Sequence, residues 1–218
     1  MDIKQIKKMN FLEAHWENIV MANYAVPADV LLPYLPKGCE LDLHQGKAYV
    51  SLVGFMFKKT KLFRIPIPIL GTFEEINLRF YVQRKEGDIV KRGVVFINET
   101  IPYRAVAWVA NKLYKEHYTT IPTKNSISIN STHKKIEYLW QINNEWNSIS
   151  VESLTDKDEM QANSFEEFIF EHYYGYTKID ALRTEEYKID HPRWKVNKIA
   201  DYKIDCDFDK MYGEPFLF

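Results

Sequence analysis

The sequence predicts an α+β protein in which a large, curved antiparallel sheet forms a β-cone or barrel-like structure with a few helices outside it. Extended segments that alternate polar with apolar residues cover most of the chain, and only two or three segments have helical spacing. No linker, repeat or change of composition divides residues 1–218. We therefore expect a single domain over residues 1–218.

The N-terminal half contains one short helix and several strands. Residues 26–36 predict the helix, because Pro27 suits a first-turn position and the apolar residues share one face. Two β-rich runs follow on either side of residues 44–46, where a glycine favours a tight hairpin. The next strand pair turns at residues 86–88, which also contain a glycine.

The C-terminal half begins with the main helix, which the apolar spacing of residues 101–114 predicts. A second helix should begin at Ser164, since Glu167 three residues later completes a capping box. Residues 174–208 return to strand-like alternation. Between the two helices we expect a meander of short strands with the sequences SISIN, KIEYLWQI and WNSISVES.

Charge and cysteine content restrict the partners and the cellular compartment that we expect for the protein. The chain has 29 Lys and Arg against 30 Asp and Glu, so nothing attracts it to nucleic acid or to an anionic membrane, and we expect neither partner. The N-terminal residues develop no apolar segment of the kind that directs export. Cys39 and Cys206 have no paired spacing, which favours a reducing compartment. We predict a cytoplasmic protein.

Signatures of common enzymes are missing from the sequence. It has no GxGxxG, GxxxxGK[ST], GxSxG or HExxH motif, so dinucleotide, P-loop, hydrolase and zincin sites have no local support. The six histidines are scattered without metal-ligand spacing. We therefore predict neither a metal nor a cofactor.

The strongest chemical signal is the strand TFEEINLRFYVQ at residues 72–83. Its even-numbered residues from Ile76 to Val82 are apolar and share one face, which predicts a core contact. The other face carries a carboxylate, an amide, a guanidinium and a phenol. Such a face either meets solvent or lines a pocket, and the pattern alone favours solvent. The residues in question are Glu75, Asn77, Arg79 and Tyr81.

The segment IPIPIL at residues 65–70 alternates isoleucine with proline. Proline excludes a helix here and disfavours a central strand, so we predict a stiff apolar loop. Such a loop suits a lid or a contact between subunits. The sequence thus leaves a homo-oligomer open.

The chain resembles the YqjF-like family, DUF2071, of the acetoacetate decarboxylase-like superfamily. Three stretches carry the resemblance: FEEINLRFYV, ANYAVPADVLLPYLPKGCELDLHQGKAYVSLVGFMF and HPRW. The first matches the family signature F-x-E-x-N-x-R-x-Y-V. The resemblance implies a curved antiparallel barrel with an internal ligand cavity, lined by Glu75, Asn77, Arg79 and Tyr81. It also places Glu75 where the decarboxylases carry an active-site glutamate.

The decarboxylase reaction itself is not implied. Those enzymes form a Schiff base through a lysine that follows the central helix, after a Gly-Phe-Pro turn. The corresponding stretch here, NKLYKEHYTTIP, lacks that turn, and the best register places His117 or Tyr118 at the lysine position. Lys115 is close, but the charge of Glu116 beside it would raise the pKa of the amine.

We therefore expect the chain to bind a small carboxylate or carbonyl compound inside the barrel, with any catalysis independent of a Schiff-base lysine. An imine-forming lyase that uses Lys115 is one alternative, and a non-catalytic assembly protein is another. The expected ligand-binding residues are Glu75, Asn77, Arg79, Tyr81, His117 and Tyr118.

Overall fold

The computed structural model describes residues 12–62, 65–66, 71–114 and 117–216. The described strands are β1 (Leu12–Val26), β2 (Glu40–Leu41), β3 (Ala48–Leu62), β4 (Ile65–Pro66), β5 (Phe73–Glu86), β6 (Ile89–Ile101), β7 (Tyr118–Thr120), β8 (Thr123–Ile129), β9 (His133–Ile142), β10 (Glu145–Glu159), β11 (Tyr174–Lys178), β12 (Thr184–Lys188) and β13 (Lys195–Asp205). The helices are α1 (Ala28–Leu31), α2 (Arg104–Tyr114), α3 (Phe165–Phe170) and α4 (Phe208–Tyr212), with 3-10 turns at Leu32–Tyr34 and Glu214–Phe216. Of these helices, none is long and apolar enough to cross a membrane.

Two separate sheets contain these strands, which confirms the predicted α+β class with few helices. The larger sheet has nine strands with the central order β1-β3-β5-β6-β11-β12, and the smaller has four in the order β13-β10-β9-β8. Within the described ranges neither sheet closes on itself, so the predicted cone-like or barrel-like closure is not found. Strands β8–β10 and β13 build a separate sheet instead of extending the first one around a barrel.

The main core lies between the two sheets. Ile76, Leu78 and Phe80 of β5 belong to one buried cluster with Tyr138 and Trp140 of β9. Gly54 of β3 allows the close approach, because a Cβ atom there would lie 2.5 Å from Cδ2 of Tyr138. The apolar face of β5 is therefore core, as its alternation predicts.

Helices cover the opposite face of β5 at two separate places. Ala107 of α2 packs in a buried cluster with Phe57 and Phe73. Phe168 of α3 packs in another cluster with Tyr81. Helices α2 and α3 pack on the sheet through different apolar clusters. The polar residues of β5 that lie between Phe73 and Tyr81 are not part of either one.

The local predictions hold in most places. Residues 44–46 form a tight turn in which Gln45 and Gly46 have φ angles of 51° and 77°. Gly87, with φ 59°, lies in the turn between β5 and β6. Ser164 caps α3, accepting the backbone N–H of Glu167 at 3.1 Å.

Three boundaries or pairings differ from the predictions. Residues 40–41 pair with β5 and not with β3, so the turn at 44–46 does not join a regular hairpin. The central helix begins at Arg104, because Ile101 still belongs to β6. Ile65–Pro66 form a short strand beside the end of β3, where an edge position tolerates proline. Residues 67–70, the rest of the predicted loop, lie outside the described residues.

Candidate functional site

Strand β5 is buried on both faces from Phe73 to Val82. On its polar face, Glu75 is 2% exposed, Asn77 1% and Arg79 7%. The alternative that this face meets solvent is therefore wrong. A buried carboxylate and a buried guanidinium are costly to desolvate, so their partners decide what the face does.

These side chains line a cavity of about 110 Å³. It lies on the face of the nine-stranded sheet that carries α2 and α3, on the opposite side from the four-stranded sheet. Its lining comes from six strands of the large sheet, β1, β3, β5, β6, β7 and β12, and from the stretch between β12 and β13. The lining residues are Trp16, Ile19, Met21, Val53, Phe55, Phe57, Glu75, Asn77, Arg79, Phe96, Glu99, Tyr118, Tyr187, Ile189 and Trp194.

Glu75 and Tyr118 are in direct contact inside this cavity. The Tyr118 hydroxyl donates to Oε2 of Glu75 at 3.2 Å, and the Asn77 amide donates to Oε1 of Glu75 at 2.9 Å. Tyr118 is itself positioned by Asn111 of α2, whose side chain bonds both its backbone N–H and its backbone carbonyl at 2.8 Å. Helix α2 thus fixes β7 so that a phenol reaches the carboxylate on β5.

Arg79 has much weaker partners than its burial requires. Its only hydrogen-bond contact among the described residues is with Sδ of Met21, at 4.0 Å. Its guanidinium carbon lies 5.8 Å from the centre of the Tyr81 ring. In the described part of the chain, no carboxylate lies within ion-pair distance of Arg79, and its Nε has no acceptor. Arg79 is therefore a buried cation that no carboxylate of the described residues pairs with directly, although Glu75 and Glu99 line the same cavity.

Tyr81 belongs to a different environment from the one expected. It is 1% exposed and does not line the cavity. Its hydroxyl shares a 2.5 Å hydrogen bond with Ser51, and its ring centre lies 4.8 Å from that of His172. Phe168 of α3 packs on Tyr81 with ring centres 5.4 Å apart, so the helix covers this end of the strand. Tyr81 therefore lies outside the lining of this cavity, and its predicted ligand contact stays a prediction.

His117 and Lys115 complete the predicted set. The His117 side chain is exposed and lies outside the cavity lining. Lys115 lies outside the described residues, so the imine-forming alternative stays a prediction. Ligand binding by any of the predicted residues also stays a prediction; the cavity brings together Glu75, Asn77, Arg79 and Tyr118.

A second polar cluster lies beyond Tyr81 and contains the buried His172 with the partly exposed Asp42 and Arg92. Oδ2 of Asp42 accepts from Nε of Arg92 at 2.6 Å and contacts Nε2 of His172 at 3.1 Å. Burial lowers the pKa of His172 to about 4, although the hydrogen bond to Asp42 opposes this shift. Burial raises the pKa of Asp42, but the bonds from His172 and Arg92 outweigh it and keep that pKa below its ordinary value. At neutral pH His172 is therefore uncharged and donates to the carboxylate.

The sequence did not indicate several of the cavity residues. Phe96 and Glu99 of β6 both line the cavity although they are three positions apart, which strict alternation forbids. Leu78 pairs with Asn98 and Arg79 with Phe96, so Ile97 is an extra residue that reverses the alternation. Trp194 could have been found only through the HPRW stretch of the family resemblance.

Solved structures share this architecture at low sequence identity. An acetoacetate decarboxylase from Legionella pneumophila matches with a TM-score of 0.51 and 11% identity, over 77% of this chain and 57% of that chain. An acetoacetate decarboxylase-like enzyme from Sphingomonas wittichii RW1 matches with a TM-score of 0.54 and 8% identity, over 87% and 71% of the two chains. The enduracididine biosynthesis enzyme MppR, complexed with pyruvate, gives a TM-score of 0.52 and 11% identity over 77% and 65%. These likenesses show an acetoacetate decarboxylase-like fold.

Comparison of the sequence with known proteins identifies a relative and a family. Over 104 residues the chain is 29% identical to the uncharacterized protein YqjF of Bacillus subtilis (strain 168). That match covers 47% of this chain and 41% of the relative, so it spans less than half of either protein. The profile of DUF2071, a family described as an uncharacterized conserved protein, matches residues 13–217. The chain therefore belongs to the DUF2071 family.

Proposed function

We propose that the protein binds a small carboxylate or carbonyl compound in the cavity on the helix-bearing face of the nine-stranded sheet. The observation that carries the proposal is Arg79, which is 7% exposed and has no carboxylate within ion-pair distance in the described ranges. This cavity takes the place of the barrel interior that the sequence predicts.

The charge of Arg79 cannot be removed by a change in protonation. A guanidinium stays protonated at every accessible pH, whereas a buried lysine can lose its proton. Leaving such a charge buried without a partner costs several kcal/mol, by order of magnitude. A ligand carboxylate relieves that cost, and its two oxygens match the fork of guanidinium donors.

The lining restricts the size and polarity of the ligand. A cavity of about 110 Å³ admits only a small molecule, of the size of a short-chain or single-ring acid. Tyr118 places a hydroxyl inside the lining, next to Glu75, and this hydroxyl reaches the part of the ligand beyond Arg79. A phenol has one O–H donor, so a ligand carbonyl oxygen would accept it in exchange for the bond that Tyr118 makes to Glu75.

The fold relatives support a small-acid ligand by analogy. MppR, which shares the fold, is described in complex with pyruvate, a small keto acid. An analogy of fold does not carry chemistry by itself, because one fold hosts many functions. The argument for this chain therefore rests on its own buried Arg79, and the relatives add a ligand of matching size and charge.

A thermal-shift series tests the proposal. Acetate, pyruvate and chloride are added at equal ionic strength to the wild type, to Arg79→Met and to the control Arg84→Met. Arg84 lies on the same strand, but its ion pairs with Glu86 and Glu186 are partly exposed. A carboxylate at about 100 times its Kd stabilises by about 2.7 kcal/mol, which raises Tm by several degrees in a chain of this size.

We expect the carboxylates, and not chloride, to raise the Tm of the wild type and of Arg84→Met. The rise should disappear in Arg79→Met. An equal response in all three proteins would remove Arg79 from the binding site, and the lack of any carboxylate effect would overturn the proposed function.

A further inference from the structure

We infer that the ligand is an amphipathic acid, whose carboxylate lies on β5 and whose branched-alkyl or single-ring group packs on β1 and β3. This inference rests on the proposed function and names its ligand class. It follows from the way in which polar and apolar lining residues are divided between the strands.

The division follows the order of strands across the sheet. The lining residues from β1 and β3 are all apolar, whereas those from β5 and β7 are all polar. Strand β6 contributes one of each kind, Phe96 and Glu99. Because β3 lies between β1 and β5, the cavity has an apolar half and a polar half that meet along the border of β3 and β5. The apolar half consists of Trp16, Ile19, Met21, Val53, Phe55 and Phe57.

The strand register sets the distance between the two halves. Val53 is opposite Asn77 and Phe55 is opposite Glu75, while Arg79 is opposite Ser51, two residues before Val53. Neighbouring strands lie about 4.8 Å apart, which is roughly the span of four carbon–carbon bonds in an extended chain. A carboxylate near Arg79 and an apolar group on the next few carbons can therefore occupy both halves at once, within the volume of about 110 Å³.

Trp194 adds an aromatic wall to the apolar half. Its ring centre lies 6.0 Å from that of Trp16, with the planes 23° apart, and 4.1 Å from that of His191, with the planes 5° apart. The adjacent Arg193 is tied to Glu167 of α3 by an ion pair of 2.5 Å. The wall is thus positioned before a ligand binds, which lowers the entropic cost of using it for recognition.

A series of acids that share a carboxylate head and differ in the size of their apolar tail tests this inference. Acetate, isobutyrate, isovalerate and phenylacetate are titrated by calorimetry into the wild type, Trp194→Ala and the control Trp108→Ala. Trp108 is 62% exposed on α2 and does not line the cavity, so it controls for the loss of a tryptophan. We expect affinity to rise up to about fourfold per added methylene in the wild type and in the control.

In Trp194→Ala the gain from the tail should fall by about tenfold for the largest acid, while acetate binding changes little. A flat series with measurable acetate binding would overturn the inference and leave the proposed function standing. An equal gain in Trp194→Ala and wild type would also overturn it, since the tail would then lie elsewhere. If no acid binds the wild type, the proposed function fails and the inference fails with it.

Discussion

Two arginines on neighbouring strands, Arg79 of β5 and Arg92 of β6, show how differently this protein uses the same side chain. Each guanidinium lies over an aromatic ring, Arg79 at 5.8 Å from Tyr81 and Arg92 at 5.2 Å from Phe168. Arg92 has a carboxylate partner, Asp42, at 2.6 Å. Arg79 has only the sulfur of Met21 at 4.0 Å among the described residues.

Burial increases the electrostatic difference between the two arginines, because Arg79 is the more buried and has the poorer partners. The Arg92 side chain is 33% exposed, so solvent already screens part of its charge, whereas Arg79 is 7% exposed. An arginine kept for stability is expected to be paired in this way, since pairing offsets desolvation. Arg92 with Asp42 and His172 therefore has the partners of a structural cluster, and Arg79 is the arginine that we propose for ligand binding.

The largest expected effect concerns the structural cluster and pH. Burial lowers the pKa of His172 from 6.5 to about 4. As pH falls from 6.5 toward 4, the unfolded chain takes up a proton that the folded chain does not, so His172 contributes a loss of stability in that window. The loss should reach roughly 3 kcal/mol at pH 4. Urea denaturation at several pH values would measure it.

The variant His172→Gln provides the control for this prediction. It removes the titrating group and keeps an amide that can donate to Asp42. Its free energy of unfolding should depend much less on pH between 6.5 and 4, whatever its value at neutral pH. An unchanged pH dependence in this variant would mean that His172 is not the group that titrates.

The second-largest effect is expected when Arg92, the arginine with a carboxylate partner, is substituted. In Arg92→Met, the Asp42 carboxylate loses its 2.6 Å partner and keeps only His172 and solvent. We expect the free energy of unfolding to fall by roughly 2 kcal/mol, less than for a fully buried pair because Arg92 is partly exposed. Urea denaturation, with Arg84→Met as a control expected to cost less than about 1 kcal/mol, would measure the loss.

The smallest effect is expected at the unpaired arginine. In Arg79→Met, an apolar side chain of similar length replaces a buried charge that has no described carboxylate partner. The ligand-free protein should therefore keep its stability or gain up to about 1 kcal/mol. A loss of 2 kcal/mol or more on urea denaturation would contradict the contrast with Arg92, because Arg79 would then also be a structural residue.

Local sequence determined the secondary structure of the regions that matter most. The alternation from Ile76 to Val82 fixed which side chains share a face of β5, because successive residues of any strand point to opposite sides. Gly46 and Gly87 mark turns because each has a positive φ angle. Ser164 and Glu167 located the start of α3 because capping involves residues only three apart.

Only the tertiary structure decided what each face meets. Residues distant in sequence cover β5: Tyr138 packs on one face, and α2 and α3 on the other, leaving Arg79 in a cavity and Tyr81 under a helix. The extra residue Ile97 also depends on pairing with β5, and it brings Glu99 into the cavity. Alternation is a property of the local backbone, whereas burial and pairing depend on contacts between distant segments, so the sequence pattern could not distinguish the solvent-facing alternative from the cavity.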